Sequence, residues 1–90
     1  MKFYPDKGHP DGASTTSWFL FRDGRLYTDF GHPEKSRGPW FRIERDKLCP
    51  DHGHPAGTSD LPWFLMFNER LYPCAGHPDG QDTRPWFRTY

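Results

Sequence analysis

Ninety residues carrying 12 basic and 12 acidic side chains give zero net charge and a pI near 7, which removes the electrostatic case for double-stranded DNA or an anionic membrane as partner. Leu, Ile, Val and Phe supply only 15 residues and valine is absent, but eight Phe, four Trp and four Tyr, each able to bury roughly 150–250 Å², argue for a folded domain with an aromatic core rather than a disordered chain. No apolar run approaches the ~18 residues of a membrane-spanning helix, and Met1-Lys2-Phe3-Tyr4-Pro5-Asp6 has no signal-peptide core, so a cytoplasmic protein is expected.

The elements follow a four-fold internal repeat. Gly-His-Pro occurs at Gly8-His9-Pro10, Gly31-His32-Pro33, Gly53-His54-Pro55 and Gly76-His77-Pro78, and Trp-Phe follows each, at Trp18-Phe19, Trp40-Phe41, Trp63-Phe64 and Trp86-Phe87. A fixed period of 22 or 23 residues between histidines marks one supersecondary unit copied along the chain. The units span residues 2–24, 25–46, 47–69 and 70–90 of a single domain, 1–90.

In chain order, the first unit reads as a strand at Lys2-Phe3-Tyr4, a Gly-His-Pro loop, and a strand from Trp18 to Phe21. Asp23-Gly24 then signals a tight hairpin into the second unit. That unit has strands at Arg25-Leu26-Tyr27 and Trp40-Phe41-Arg42-Ile43. The third has strands at Lys47-Leu48-Cys49 and Trp63-Phe64-Leu65-Met66, with Asn68-Glu69 as its turn; the fourth has Arg70-Leu71-Tyr72 and Trp86-Phe87-Arg88-Thr89. These runs are aromatic-rich and too short for helices.

Period-two alternation puts Phe19/Phe21, Phe41/Ile43, Phe64/Met66 and Phe87/Thr89 on a core face, joined by Phe3, Leu26, Leu48 and Leu71. It puts Trp18/Leu20, Trp40/Arg42, Trp63/Leu65 and Trp86/Arg88 on the opposite, outward face. The chain starts on one strand type and ends on the other, so three hairpins are covalent and the fourth is split between the termini. The fold expected is therefore all-β, four two-stranded repeats closed into a small ring or barrel by residues 2–5 pairing with 86–89. Closure removes aggregation-prone edges, within one chain or by strand exchange between two.

A Tyr-ending strand, His-Pro-x-Gly, a short polar stretch and Pro-aromatic-aromatic, repeated over essentially the whole chain, resembles tandem repeats of uncharacterised bacterial and phage proteins. The copies drift: Pro33-Glu34-Lys35 lacks the loop's second glycine, and Ser17 replaces the proline before Trp18. The resemblance implies a repeat architecture and no particular activity.

Two residue sets carry chemistry. The first is His9, His32, His54 and His77, for which Gly, Pro and Asp neighbours favour a loop-building role, each imidazole bonding a backbone carbonyl. The alternative is a divalent metal such as zinc held where the four loops converge. The second is the outward face of Trp18, Trp40, Arg42, Trp63, Trp86 and Arg88, where indole and guanidinium together suit a sugar or a nucleotide-like anion. Cys49 and Cys74 occupy non-equivalent positions and read as free thiols. There is no nucleophile elbow, phosphate loop or His-Glu-x-x-His. The sequence thus points to a non-enzymatic binding or assembly module, without cofactor, with a small ligand or protein as partner, and self-associating through Trp18/Leu20 and Trp63/Leu65.

Overall fold

In the computed structural model, which describes residues 1–34 and 36–89, eight short antiparallel strands close into a barrel in simple sequence order. They are β1 (Lys2–Pro5), β2 (Phe19–Arg22), β3 (Arg25–Thr28), β4 (Phe41–Glu44), β5 (Lys47–Pro50), β6 (Phe64–Phe67), β7 (Arg70–Pro73) and β8 (Phe87–Thr89). Among the described residues there is no helix. Lys35, where the second loop loses its glycine, and Tyr90, the end of the fourth unit, lie outside them.

Tight turns make three of the four hairpins. Asp23 and Gly24 have φ of 54° and 78°, and Asn68 and Glu69 have 51° and 63°, the left-handed pair whose twist suits a two-residue hairpin. In the third, Arg45 takes φ 60°. The fourth hairpin has no turn. It is formed by the termini, with Phe3 opposite Thr89, Tyr4 opposite Arg88 and Pro5 opposite Phe87. Closure is therefore within one chain, between the strands expected, and no edge is left.

Eight strands enclose just enough space for side chains to fill. Phe3, Leu26, Leu48 and Leu71, one from each odd strand, are almost wholly inaccessible and form one layer of the interior. Phe19, Phe41, Phe64 and Phe87, one from each even strand, form the next layer, with successive ring centroids 5.4–5.8 Å apart around a closed square. Phe21, Ile43 and Met66 are half-buried and pack against this core. Four-residue layers from alternate strands are the packing a closed eight-stranded sheet imposes.

The tryptophans depart from the alternation expected of them. Each lies one residue ahead of its strand, outside the regular pleat, so the period-two rule does not govern its side chain. Its backbone still pairs on both sides. The N–H of Trp18, Trp40, Trp63 and Trp86 donates to Phe3, Leu26, Leu48 and Leu71 O at 2.8–2.9 Å. Its carbonyl accepts from Asp29, Asp51, Cys74 and Asp6 N at 2.7–2.8 Å. Held this way, the indoles turn to the barrel axis and not outward.

Candidate functional site

The Gly-His-Pro loops all stand at one end of the barrel and are built alike. The histidine N–H donates to the carbonyl three residues back (Asp6, Asp29, Asp51, Cys74) at 3.0 Å in every unit. The glycine must be glycine, because it passes against the neighbouring unit. A Cβ on Gly8 would strike the Pro85 carbonyl, and one on Gly53 the Gly38 backbone. The loop then turns over a left-handed glycine, Gly12, Gly57 or Gly80, at φ of 79–81°.

Each imidazole does one thing four times. Nδ1 of His9, His32, His54 and His77 accepts the backbone N–H two residues on, from Asp11, Glu34, Ala56 and Asp79, at 2.9–3.0 Å. The loop-building role expected of these residues is present, with the polarity reversed: the ring accepts from an amide instead of donating to a carbonyl. An accepting Nδ1 carries no proton, so the ring is neutral with its hydrogen on Nε2. Burial pushes all four below the usual histidine value, against a weaker upward pull from Asp11, Glu34 and Asp79.

Histidines and tryptophans interleave into one ring of eight around the axis. Passing round it from His9, the rings run Trp18, His32, Trp40, His54, Trp63, His77, Trp86 and back. Neighbouring centroids are 4.4–5.1 Å apart and mostly edge-to-face, the geometry aromatic quadrupoles favour. The four phenylalanines lie beneath, each 5.1–5.2 Å from one imidazole. Together these twelve rings line a cavity of about 120 Å³ at the loop end of the barrel. The indole N–H groups of Trp40 and Trp86 are buried without an oxygen or nitrogen partner.

No family model, curated protein or solved structure matches the chain.

The geometry of the ring and cavity divides the residues singled out in the sequence. Trp18, Trp40, Trp63 and Trp86 come together with His9, His32, His54 and His77. Arg42 and Arg88 do not join them. The Arg42 guanidinium donates to Pro50 O at 2.8 Å, to Ser59 O at 2.9 Å and to the Asp60 carboxylate at 3.0 Å. Arg88 donates to Pro5 O and, at 2.9 Å, to Ser14 O. The combined indole–guanidinium face is thus not formed, because the arginines lie within the pleat and point outward while the indoles lie ahead of it and point inward. The outer apolar patches lose their tryptophans for the same reason, leaving Leu65 and Phe67 exposed on β6 and Leu20 half-buried on β2.

An indole stands between each neighbouring pair of imidazoles, and no group of three or more metal-ligating side chains converges among the described residues. Cys49 and Cys74 are free thiols. The four phenylalanines of the cavity floor were read from the sequence as core only. Their place in the site follows from a signal that was there: every unit has the His of Gly-His-Pro and the Trp and Phe of Trp-Phe at equivalent positions, so a closed ring must gather each into a circle.

Proposed function

We propose that this protein is a non-enzymatic binding module that takes its ligand into the axial aromatic cavity. One observation carries the reading: twelve aromatic side chains, three from each repeat, converge on a single concavity. Repeat proteins commonly offer several equivalent pockets, but closure round an axis merges four partial pockets into one. Concave sites walled by aromatic side chains are the usual character of small-molecule binding, and a cavity of about 120 Å³ suits only a very small guest. The surface reading, with sugar or anion between indole and guanidinium, finds no support in the positions of Arg42 and Arg88.

The test is stoichiometry. Benzene, used as an apolar probe, is titrated while the four indole N–H resonances are followed by NMR. One site per chain, shifting all four indoles together, is the expected result. Four independent sites, or indoles indifferent to saturating benzene, would defeat the reading.

A further inference from the structure

The chemistry of the lining narrows the ligand class, on the premise that the cavity is the binding site. With Nδ1 of each histidine engaged by its own loop, Nε2–H is the group left over, and none of the four has a hydrogen-bond partner among the described residues. Tryptophan donates only. The indole N–H groups of Trp40 and Trp86 are themselves buried, so the lining side chains carry the imidazole Nε2–H groups as donors and no carbonyl, carboxylate or hydroxyl acceptor. None of them is Asp, Glu, Lys or Arg, so a charged guest would shed its hydration with no opposite charge to meet it. In size the cavity resembles an engineered one of about 150 Å³ that stays dry and binds benzene.

We propose that the ligand is a small uncharged molecule with an apolar body of about benzene's size and a hydrogen-bond acceptor, such as a cyclic ketone. The acceptor meets an imidazole Nε2–H, and the apolar body rests on Phe19, Phe41, Phe64 and Phe87. A guest bringing its own donor leaves that donor unpaired, because nothing in the lining side chains accepts it. The ring of four equivalent donors lets the acceptor bind in four equivalent orientations.

The experiment compares four probes of similar size on the full chain at pH 8: cyclopentanone, cyclopentanol, cyclopentane and tetramethylammonium. Affinity is read from tryptophan emission, and the acceptor contact from the imidazole ¹⁵Nε2 shifts. With each affinity referred to the probe's own transfer from water to hydrocarbon, cyclopentanone is expected to bind about ten-fold tighter than cyclopentane, the effect of one net hydrogen bond, to bind tighter than cyclopentanol, and to move the Nε2 resonances. Cyclopentanone no tighter than cyclopentane on that reference, or unmoved Nε2 resonances, overturns the donor argument. Tetramethylammonium as the tightest probe also overturns it, in favour of cation–π recognition, while leaving the cavity as the binding site. If no probe perturbs any indole, both the ligand class and the cavity reading fall.

Discussion

The seam between the fourth and first units and the seam between the third and fourth come from the same repeat, yet they are held differently. At the first, Arg88 reaches from β8 to the carbonyls of Pro5 and Ser14 and lies over the Tyr4 ring, 5.8 Å from its centroid. Arg70 pairs with Asp6 at 3.4 Å, and Asp6 accepts the Lys7 N–H at 2.8 Å. At the second seam, Leu65 stands where the arginine would be and Cys74 where the aspartate would be. A groove opens there, lined by Leu65, Phe67, Tyr72, Pro73, Gln81 and Asp82 among others. The third-to-fourth seam has a covalent turn at Asn68-Glu69, whereas the fourth-to-first joins chain ends. The side-chain clamps are complete where the backbone connection is missing, and have lapsed at a seam where the chain itself holds the hairpin together.

The largest effect expected is one that spares no seam, and it sets the scale for the difference between them. All four ring histidines are neutral, with burial holding their affinity for protons below that of the unfolded chain. The unfolded state therefore binds more protons, and stability falls as pH drops below the ordinary histidine value of about 6.5. The decline ends only once pH passes below the folded-state values. Each histidine contributes at most about 1.4 kcal/mol per pH unit, and four acting together make the loss steep. Urea unfolding between pH 8 and pH 5 measures it. Stability unchanged from pH 7.5 to 5.5 would show that the imidazoles do not stay neutral in the fold.

The second prediction sets the arginines against each other. Arg42 and Arg88 make equivalent contacts, Arg42 across a seam with a covalent turn and Arg88 across the split one. Replacing either with leucine, the residue that the odd units carry, strips a charged donor from two backbone carbonyls. Arg88→Leu is expected to lower stability by about 2 kcal/mol, since it also loosens a terminal strand, and Arg42→Leu by about 1 kcal/mol. Denaturant midpoints at constant m-value give the comparison. Equal losses would mean that the split seam places no special demand on its clamp.

Much of this was legible in the residues, for a physical reason. Strand positions, the Asp23-Gly24 turn and the pairing of residues 2–5 with the C-terminal strand follow from local propensity and from the phase of the repeat, and both act at short range. The direction of the tryptophans was not legible. Alternation is a property of regular strand, and Trp18, Trp40, Trp63 and Trp86 sit one residue outside it, so their side chains answer to barrel closure. The same error misplaced the partners of Arg42 and Arg88. The protonation of the histidines also escaped, because Gly-His-Pro allows a ring that donates or one that accepts, and only the folded loop chooses.

The smallest effect expected would repair the weaker seam. Around the barrel, the basic residue at the start of one unit meets the aspartate of the next: Lys2 with Asp29 at 3.8 Å, Arg25 with Asp51 at 3.1 Å and Arg70 with Asp6 at 3.4 Å. The fourth member of this cycle is Lys47 with Cys74. Burial pushes the Cys74 thiol above its ordinary value, and Lys47 draws it back only in part, so a neutral thiol stands in for a carboxylate. The three aspartates also accept the next backbone N–H, at Lys7, Phe30 and His52, each at 2.8 Å, and Cys74 has no oxygen with which to do so for Ala75. Cys74→Asp should restore both contacts. The exposed ion pair is worth little, about 0–1 kcal/mol, and the hydrogen bond to the loop about 1 kcal/mol. A gain of roughly 1 kcal/mol is expected, since the new carboxylate must shed some of its own hydration. Cys74→Ala serves as the control for simple loss of the thiol. In the Lys47→Ala background the gain should shrink to the part that comes from the hydrogen bond. A destabilised Cys74→Asp protein, or a gain that Cys74→Ala equals, would show that the third-to-fourth seam has repacked around its cysteine and no longer has room for the clamp used by its neighbours.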